Sequence, residues 1–358
     1  MAIRTVGIDL AIRGPHVALI LDEKGEPLGP PIRFRLVPRD LEHLVNEIRK
    51  GLRPEDQVIA VMEPTGMAWF PLAHWLARAG CTVIRVKGQR VKALRRYLSE
   101  HAKTDVLDAQ LLGSLPGFGR KGLTPLYLPN REQHALNRLT KQRRRYQEDI
   151  SSILRRLKSL VRWAHPGLEN ALPPFNTMVS LAVLDRHFNP RRLRQMSKAR
   201  LVAFLQKHVG GKHPATGSFT PELATRLLDA ARAALKLYPS GEVDFDLLQL
   251  EIRQEIQRLR LLQRHIERLD QEIEDLFRQL HPTDHLRTIP GVGTLLGPSL
   301  LAVIHQWQRF GSQNRLRGFT GLKAASRNQG MPSSEQKRCF GRWATRSSWP
   351  RSFAPAPS

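Results

Sequence analysis

The stretch of this sequence best equipped for chemistry is Lys103-Thr104-Asp105-Val106-Leu107-Asp108-Ala109. Asp105 and Asp108, three residues apart on a helix, share one face and lie one turn from each other. A plainer reading is a helix N-terminus, with Thr104 as N-cap and both acids meeting the positive end of the macrodipole. Two more acids shift the balance. Asp9 interrupts the apolar run Val6-Gly7-Ile8-Asp9-Leu10, where an uncompensated carboxylate is costly. Glu63 follows directly on Val58-Ile59-Ala60-Val61-Met62 and precedes Pro64-Thr65-Gly66. A strand-end turn would explain Asp9 alone, and a cap before Pro64 would explain Glu63 alone. Together, four carboxylates at one point repel one another unless they share cations. Two magnesium ions, hard and oxygen-seeking, suit such a set, and the chemistry is in-line attack at a phosphodiester.

The surroundings are basic. Arg85, Lys87, Arg90, Lys92, Arg95, Arg96 and Lys103 precede the Asp105–Asp108 pair, and across the chain 57 Lys and Arg face 32 Asp and Glu, a net charge of +25. A nucleic-acid partner is the simplest explanation of that excess. No apolar run approaches the ~18 residues of a membrane span, and the N-terminus reads as a strand rather than a signal peptide. Cys81 and Cys339 lie far apart and make no metal-ligand spacing. A reduced, zinc-free, cytoplasmic protein is expected, with no membrane partner.

The elements that must hold the acids can be read from periodicity. Residues 2–10, 16–21 and 32–36 read as three strands joined by hairpins, and 40–49 carries helical spacing. The strand ending at Met62 leads into a helix with Trp69, Leu72, Ala73, Trp75 and Leu76 on its buried side, and the Cys81–Val86 strand follows. This order, over residues 1–125, is the ribonuclease-H-like α/β layout. It can bring an acid on the first strand, one at the end of the fourth and a pair on a later helix to one sheet edge.

Residues 126–281 read as helical. From Arg131 to Trp163, Leu139, Tyr146, Ile153 and Leu160 recur every seven residues, with Leu136, Ile150 and Leu157 on the same face. The other face is basic, with nine Lys or Arg from Arg138 to Arg162 against Glu148 and Asp149. Arg143, Arg144 and Arg145 are its candidate phosphate contacts. From Phe245 to Leu280 a second seam runs through Phe245, Ile252, Leu259, Ile266, Ile273 and Leu280, with Leu248, Leu262, Leu269 and Leu276 beside it and Glu255 as its break. A helix with one narrow seam must pair, either with the Leu139 helix of the same chain or with a second copy.

Residues 282–358 open on His285-Leu286-Arg287-Thr288-Ile289-Pro290-Gly291-Val292-Gly293. This resembles a helix-hairpin-helix start, in which Gly291 and Gly293 would let backbone amides approach a phosphate. The rest of this mostly helical region ends in scattered serines, Trp343, Trp349 and Ala-Pro-Ala-Pro-Ser.

Val6-Gly7-Ile8-Asp9, Met62-Glu63-Pro64-Thr65-Gly66 and the 103–109 heptapeptide resemble the signature blocks of the DEDD transposases of the IS110 family. Pro290-Gly291-Val292-Gly293 and Phe319-Thr320-Gly321-Leu322 resemble its C-terminal transposase domain. The resemblance implies a RuvC-like first domain, a coiled-coil middle and a transposase that cleaves and transfers DNA strands. It assigns metal-binding roles to Asp9, Glu63, Asp105 and Asp108, and implies a structured guide RNA as a second partner. It also favours the second-copy option for the Phe245–Leu280 seam, giving a homo-oligomer.

After about Leu322 the pattern departs from the family. Ser326 is the serine nearest to the place of the family's nucleophile, which Gln329 occupies. The departure fits a divergent basic arm or a shifted reading frame. Two other functions use the same features: a RuvC-like structure-selective endonuclease, and a catalytically inactive nucleic-acid-binding remnant.

Overall fold

The computed structural model describes residues 2–86, 88–89, 91, 96, 104–119, 123–209, 216–239 and 241–320. The chain forms two compact units, Met1–Leu128 and Pro129–Ser358.

In the first unit β1 (Ile3–Asp9), β2 (His16–Leu21), β3 (Ile32–Phe34), β4 (Gln57–Met62) and β5 (Thr82–Arg85) form one sheet in the order β3-β2-β1-β4-β5. β1, β2 and β3 pair antiparallel, whereas β1–β4 and β4–β5 pair parallel. This is the mixed sheet expected of the ribonuclease-H-like layout. β3 stops two residues short of the 32–36 span because the Arg35 amide donates to the Asp40 carboxylate at 2.9 Å, not to a strand. Helices α1 (Pro38–Arg49) and α2 (Trp69–Arg78) cover one face, burying Leu41, Leu44, Ile48, Leu72 and Leu76 against Val6, Ile8, Ala60 and Met62. Helix α3 (Asp105–Ser114) covers the other face, where Leu112 meets Ile59, Val61 and Ile84, and Ala109 meets Val17, Leu19 and Leu21. Side chains alternate across a strand, so Gly7 and Asp9, like Ile59, Val61 and the following Glu63, belong to the α3 side.

The second unit is built on two long helices, α4 (Arg131–Ala164) and α10 (Phe245–Leu280). Asn130 caps α4 in a capping box with Gln133. The pair is antiparallel: Arg143 bonds Asp270, Tyr146 packs on His265, and Arg156 reaches Glu251 at 2.8 Å and Glu255 at 3.2 Å. Ile252, Leu259, Leu262, Ile266 and Ile273 are buried, and Leu259 and Ile266 share a core with Ile150, Ile153, Leu157 and Val161 of α4. Within the chain the seam therefore packs on α4, the first of the two pairings the sequence allowed. Glu255 breaks the heptad because Arg156 of the facing helix takes its carboxylate.

Shorter helices α5 (Pro166–Ala171), α6 (Met178–His187), α7 (Pro190–Arg194), α8 (Lys198–Gln206) and α9 (Thr216–Leu237) complete that core. Buried Gln249 of α10 donates to the carbonyls of Leu184 and Asp185 at 2.8 and 2.7 Å, satisfying the end of α6.

Changing Leu259 and Ile266 together to Asp should therefore unfold the helix pair, because two buried charges each cost several kcal/mol. Helical circular dichroism and molar mass by light scattering check this. A helical signal kept while an oligomer falls to monomer would mean that the seam joins copies after all.

Candidate metal and nucleic-acid site

Thr104 caps α3, its hydroxyl accepting from the Leu107 amide at 3.2 Å. The plainer reading of the heptapeptide thus holds as local structure, and it fixes the first turn that carries Asp105 and Asp108. Asp105 is exposed and Asp108 half-buried. Lys103 lies outside the described residues, as do Lys87, Arg90, Lys92 and Arg95.

The direction of α3 over the sheet decides which strand ends those acids approach. A Cβ on Gly7 would lie 1.7 Å from the Ala109 carbonyl oxygen and 2.4 Å from the Gly113 amide. A Cβ on Gly113 would meet Leu21 at 2.6 Å, and Leu21 pairs with Thr5 on β1. Moving from Thr5 to Gly7 along β1 is therefore moving from Gly113 to Ala109 along α3. The helix runs antiparallel to β1, with its first turn at the Asp9 end.

Asp9 closes β1, half-buried, and Ile8 stands in register with Met62 of β4. The next residues, Asp9 and Glu63, leave adjacent parallel strands at the same edge. Gly88 lies against the Glu63 carboxylate, where a Cβ would come within 2.3 Å of Oε1. Nothing in the sequence around Gly88 marks this approach beyond a glycine soon after a strand. Arg85, at the end of β5, stacks over the Trp69 ring at 4.5 Å, which holds a guanidinium beside the same edge.

The topology thus brings all four acids to one edge of the sheet. They are not yet a closed coordination sphere: among the described residues no three His, Cys, Asp or Glu side chains are gathered closely enough to hold a metal ion. As a donor set they fit a hard cation, being all oxygen and partly open to solvent.

The basic candidates divide. Arg144 and Arg145 are exposed on α4, Arg144 lying 3.8 Å from Glu148. Arg143 is less exposed, its guanidinium paired with Asp270 across the helix pair. The Gly291–Gly293 hairpin follows a short 3₁₀ turn (His285–Thr288) and precedes α11 (Leu296–Ile304). Gly291 has φ +85°, a conformation that favours glycine, while a Cβ on Gly293 would meet open space. Arg287 fixes this segment on α10: it pairs with Glu274, contacts Asp284 at 3.4 Å and stacks on Phe277 at 4.6 Å. Hydrogen bonding from Arg287 holds the Glu274 carboxyl below its ordinary range. Asn137 of α4 donates to the Ala302 carbonyl at 2.6 Å, tying α11 to the same helix pair. The sequence did not reveal these anchors. Ser326 and Gln329, like Gly321 and Leu322, lie outside the described residues.

Among the described residues no helix is long and apolar enough to cross a membrane.

A family model for DEDD transposases of the IS110 type matches residues 6–166, a span containing all four acids. A second, for transposases of the IS116/IS110/IS902 family, matches residues 283–349 and so continues past Leu322. The 44.8 kDa protein of insertion element IS116 from Streptomyces clavuligerus is 26% identical over 333 residues, covering 93% of this chain and 79% of that protein. The 42 kDa protein of IS900 from Mycobacterium paratuberculosis is 26% identical over 264 residues, 74% of this chain and 63% of the relative. The 43.6 kDa protein of IS110 from Streptomyces coelicolor is 23% identical over 276 residues, 76% and 65% respectively. With both of its ends matched by models of one family, the chain belongs to the IS110 family of transposases.

Proposed function

We infer that the chain cleaves and transfers DNA strands at the edge where β1, β4 and α3 meet. The observation that carries this reading is the placement of Asp9 and Glu63 on adjacent strand ends, under a helix whose first turn brings Asp105 and Asp108. Bound there, two magnesium ions would polarise the scissile phosphate and stabilise attacking and leaving oxygens. Asp9 and Glu63, fixed by the sheet, would set the position of the cations. Asp105 and Asp108, on a helix end, would complete the set. Exposed Arg144 and Arg145 would track phosphates of DNA or of the guide RNA that the resemblance implies.

The attacking hydroxyl is the open part of this reading. A serine needs fixed placement and an activating neighbour to act, and Ser326 stands three residues before the family's place, at Gln329. The purified chain should bind DNA with steep salt dependence, nick it in magnesium and give little strand transfer. Donor and target plasmids incubated with magnesium or with a chelator, and resolved on gels, test this. No nicking by a chain that binds DNA would leave an inactive remnant. Nicking that survives deletion of residues 282–358 would favour a RuvC-like nuclease. Robust transfer lost on Ser326→Ala would make Ser326 the nucleophile.

A further inference from the structure

The C-terminal third of α4 carries a feature that the acid site does not use. Leu157, Val161 and Ala164 are fully buried, and helical spacing turns Arg155, Lys158, Ser159, Arg162 and Trp163 outward. These five line one open depression of about 480 Å³. Trp163 is 56% exposed there, although burying an indole is among the larger gains open to a folding chain. The backbone that carries it is tied down. The Tyr238 hydroxyl donates to the Trp163 carbonyl at 2.6 Å, and the His165 amide closes on Val161 at 2.7 Å.

The charges around the depression are unequal in availability. Arg162 is held by Glu169 through two hydrogen bonds, 2.5 and 3.1 Å long. That pairing leaves Arg155 and Lys158, both exposed, as the cations facing solvent beside the ring. An exposed indole on a tied-down stretch of backbone, flanked by two exposed cations on one helix face, has the makings of a stacking platform with phosphate contacts. A duplex hides its base faces, so the chemistry fits an unpaired strand.

We propose that Arg155, Lys158 and Trp163 form a binding surface for single-stranded DNA, with one base stacked on Trp163 and neighbouring phosphates on Arg155 and Lys158. The proposal rests on the reading of the chain as a DNA-cleaving transposase, whose reaction exposes unpaired strands. Fluorescence anisotropy of the full chain with labelled 20-nucleotide single-stranded DNA, the matching single-stranded RNA and the matching duplex tests it.

Trp163→Ala should weaken single-stranded DNA binding by about ten- to a hundredfold, and Trp163→Phe should restore most of it. Duplex affinity should stay within about twofold. Arg155→Ala with Lys158→Ala should make the dependence of log affinity on log salt shallower by about 1 to 1.5, two phosphate contacts at ~0.7 each. Equal thermal melting of parent and variants checks that the fold is kept. Parent-like single-strand binding by Trp163→Ala would overturn the surface alone. An equal loss on duplex, or a marked preference for RNA, would overturn its assignment to unpaired DNA. A parent chain that binds none of the three would overturn the functional reading as well.

Discussion

Asp9→Asn should abolish magnesium-dependent strand nicking, by at least about a hundredfold, while leaving DNA binding unchanged or tighter. Even an outer partner of a metal ligand costs ten- to a hundredfold when removed, and Asp9 is placed to be a ligand itself. Two features make it the most sensitive of the four acids. It ends the central strand of the sheet, so its backbone is the most firmly held. The residue before it, Ile8, pairs with Met62, which precedes Glu63, so both acids depend on the same strand pair. The substitution keeps size and shape while removing the charge, so folding should be unaffected. Removing a negative charge from a strongly basic chain lowers repulsion of phosphate, hence the expected gain in binding. Nicking measured alongside a gel-shift titration separates the two effects. Parent-like nicking by Asp9→Asn would mean that the metal site lies elsewhere.

The placement of the acids was legible in the sequence to an uneven degree. Period-two and continuous apolar runs announced the strands ending near Asp9 and Glu63, because half-buried strands leave that mark directly. Thr104 announced the start of α3 through its N-cap chemistry. How α3 lies on the sheet was not legible. The close approach at Gly7 is a property of two backbones meeting, and in sequence it shows only as a missing side chain. The same limit applies to Gly88 against Glu63. For the long helices, the heptads announced that a seam exists but not what covers it. The partner is named by charge pairs such as Arg156 with Glu251 and Glu255, more than ninety residues apart. The partner of Arg143 was hidden for the same reason, since a basic run along one helix does not reveal which member faces Asp270. The lead-in to the Gly291–Gly293 hairpin is held by Arg287 on Glu274 and Phe277, contacts invisible to local spacing.

Gly7→Val should undo the first unit and nicking together. A Cβ at position 7 would stand 1.7 Å from the Ala109 carbonyl oxygen and 2.4 Å from the Gly113 amide. Both are backbone atoms, so no rotamer change can relieve the clash. Either α3 lifts from the sheet or β1 is displaced from between β2 and β4. Lifting α3 would uncover Ala109, Leu111 and Leu112 and carry Asp105 and Asp108 away from the strand ends. Overpacking in a well-filled core costs ~1–3 kcal/mol and at times more. With two γ-methyls added against a helix backbone, the upper end of that range or beyond is expected, a large share of a typical domain's ~5–15 kcal/mol. Gly29→Ala is the matched control, because a Cβ there meets nothing within 4 Å. Hydrogen exchange on the full chain should show protection lost across Ile3–Asp9 and Asp105–Ser114, while α4 and α10 keep theirs. Parent-like protection of β1 and α3 in Gly7→Val would mean that α3 does not lie against β1 in this way, and the shared edge of the four acids would lose its support.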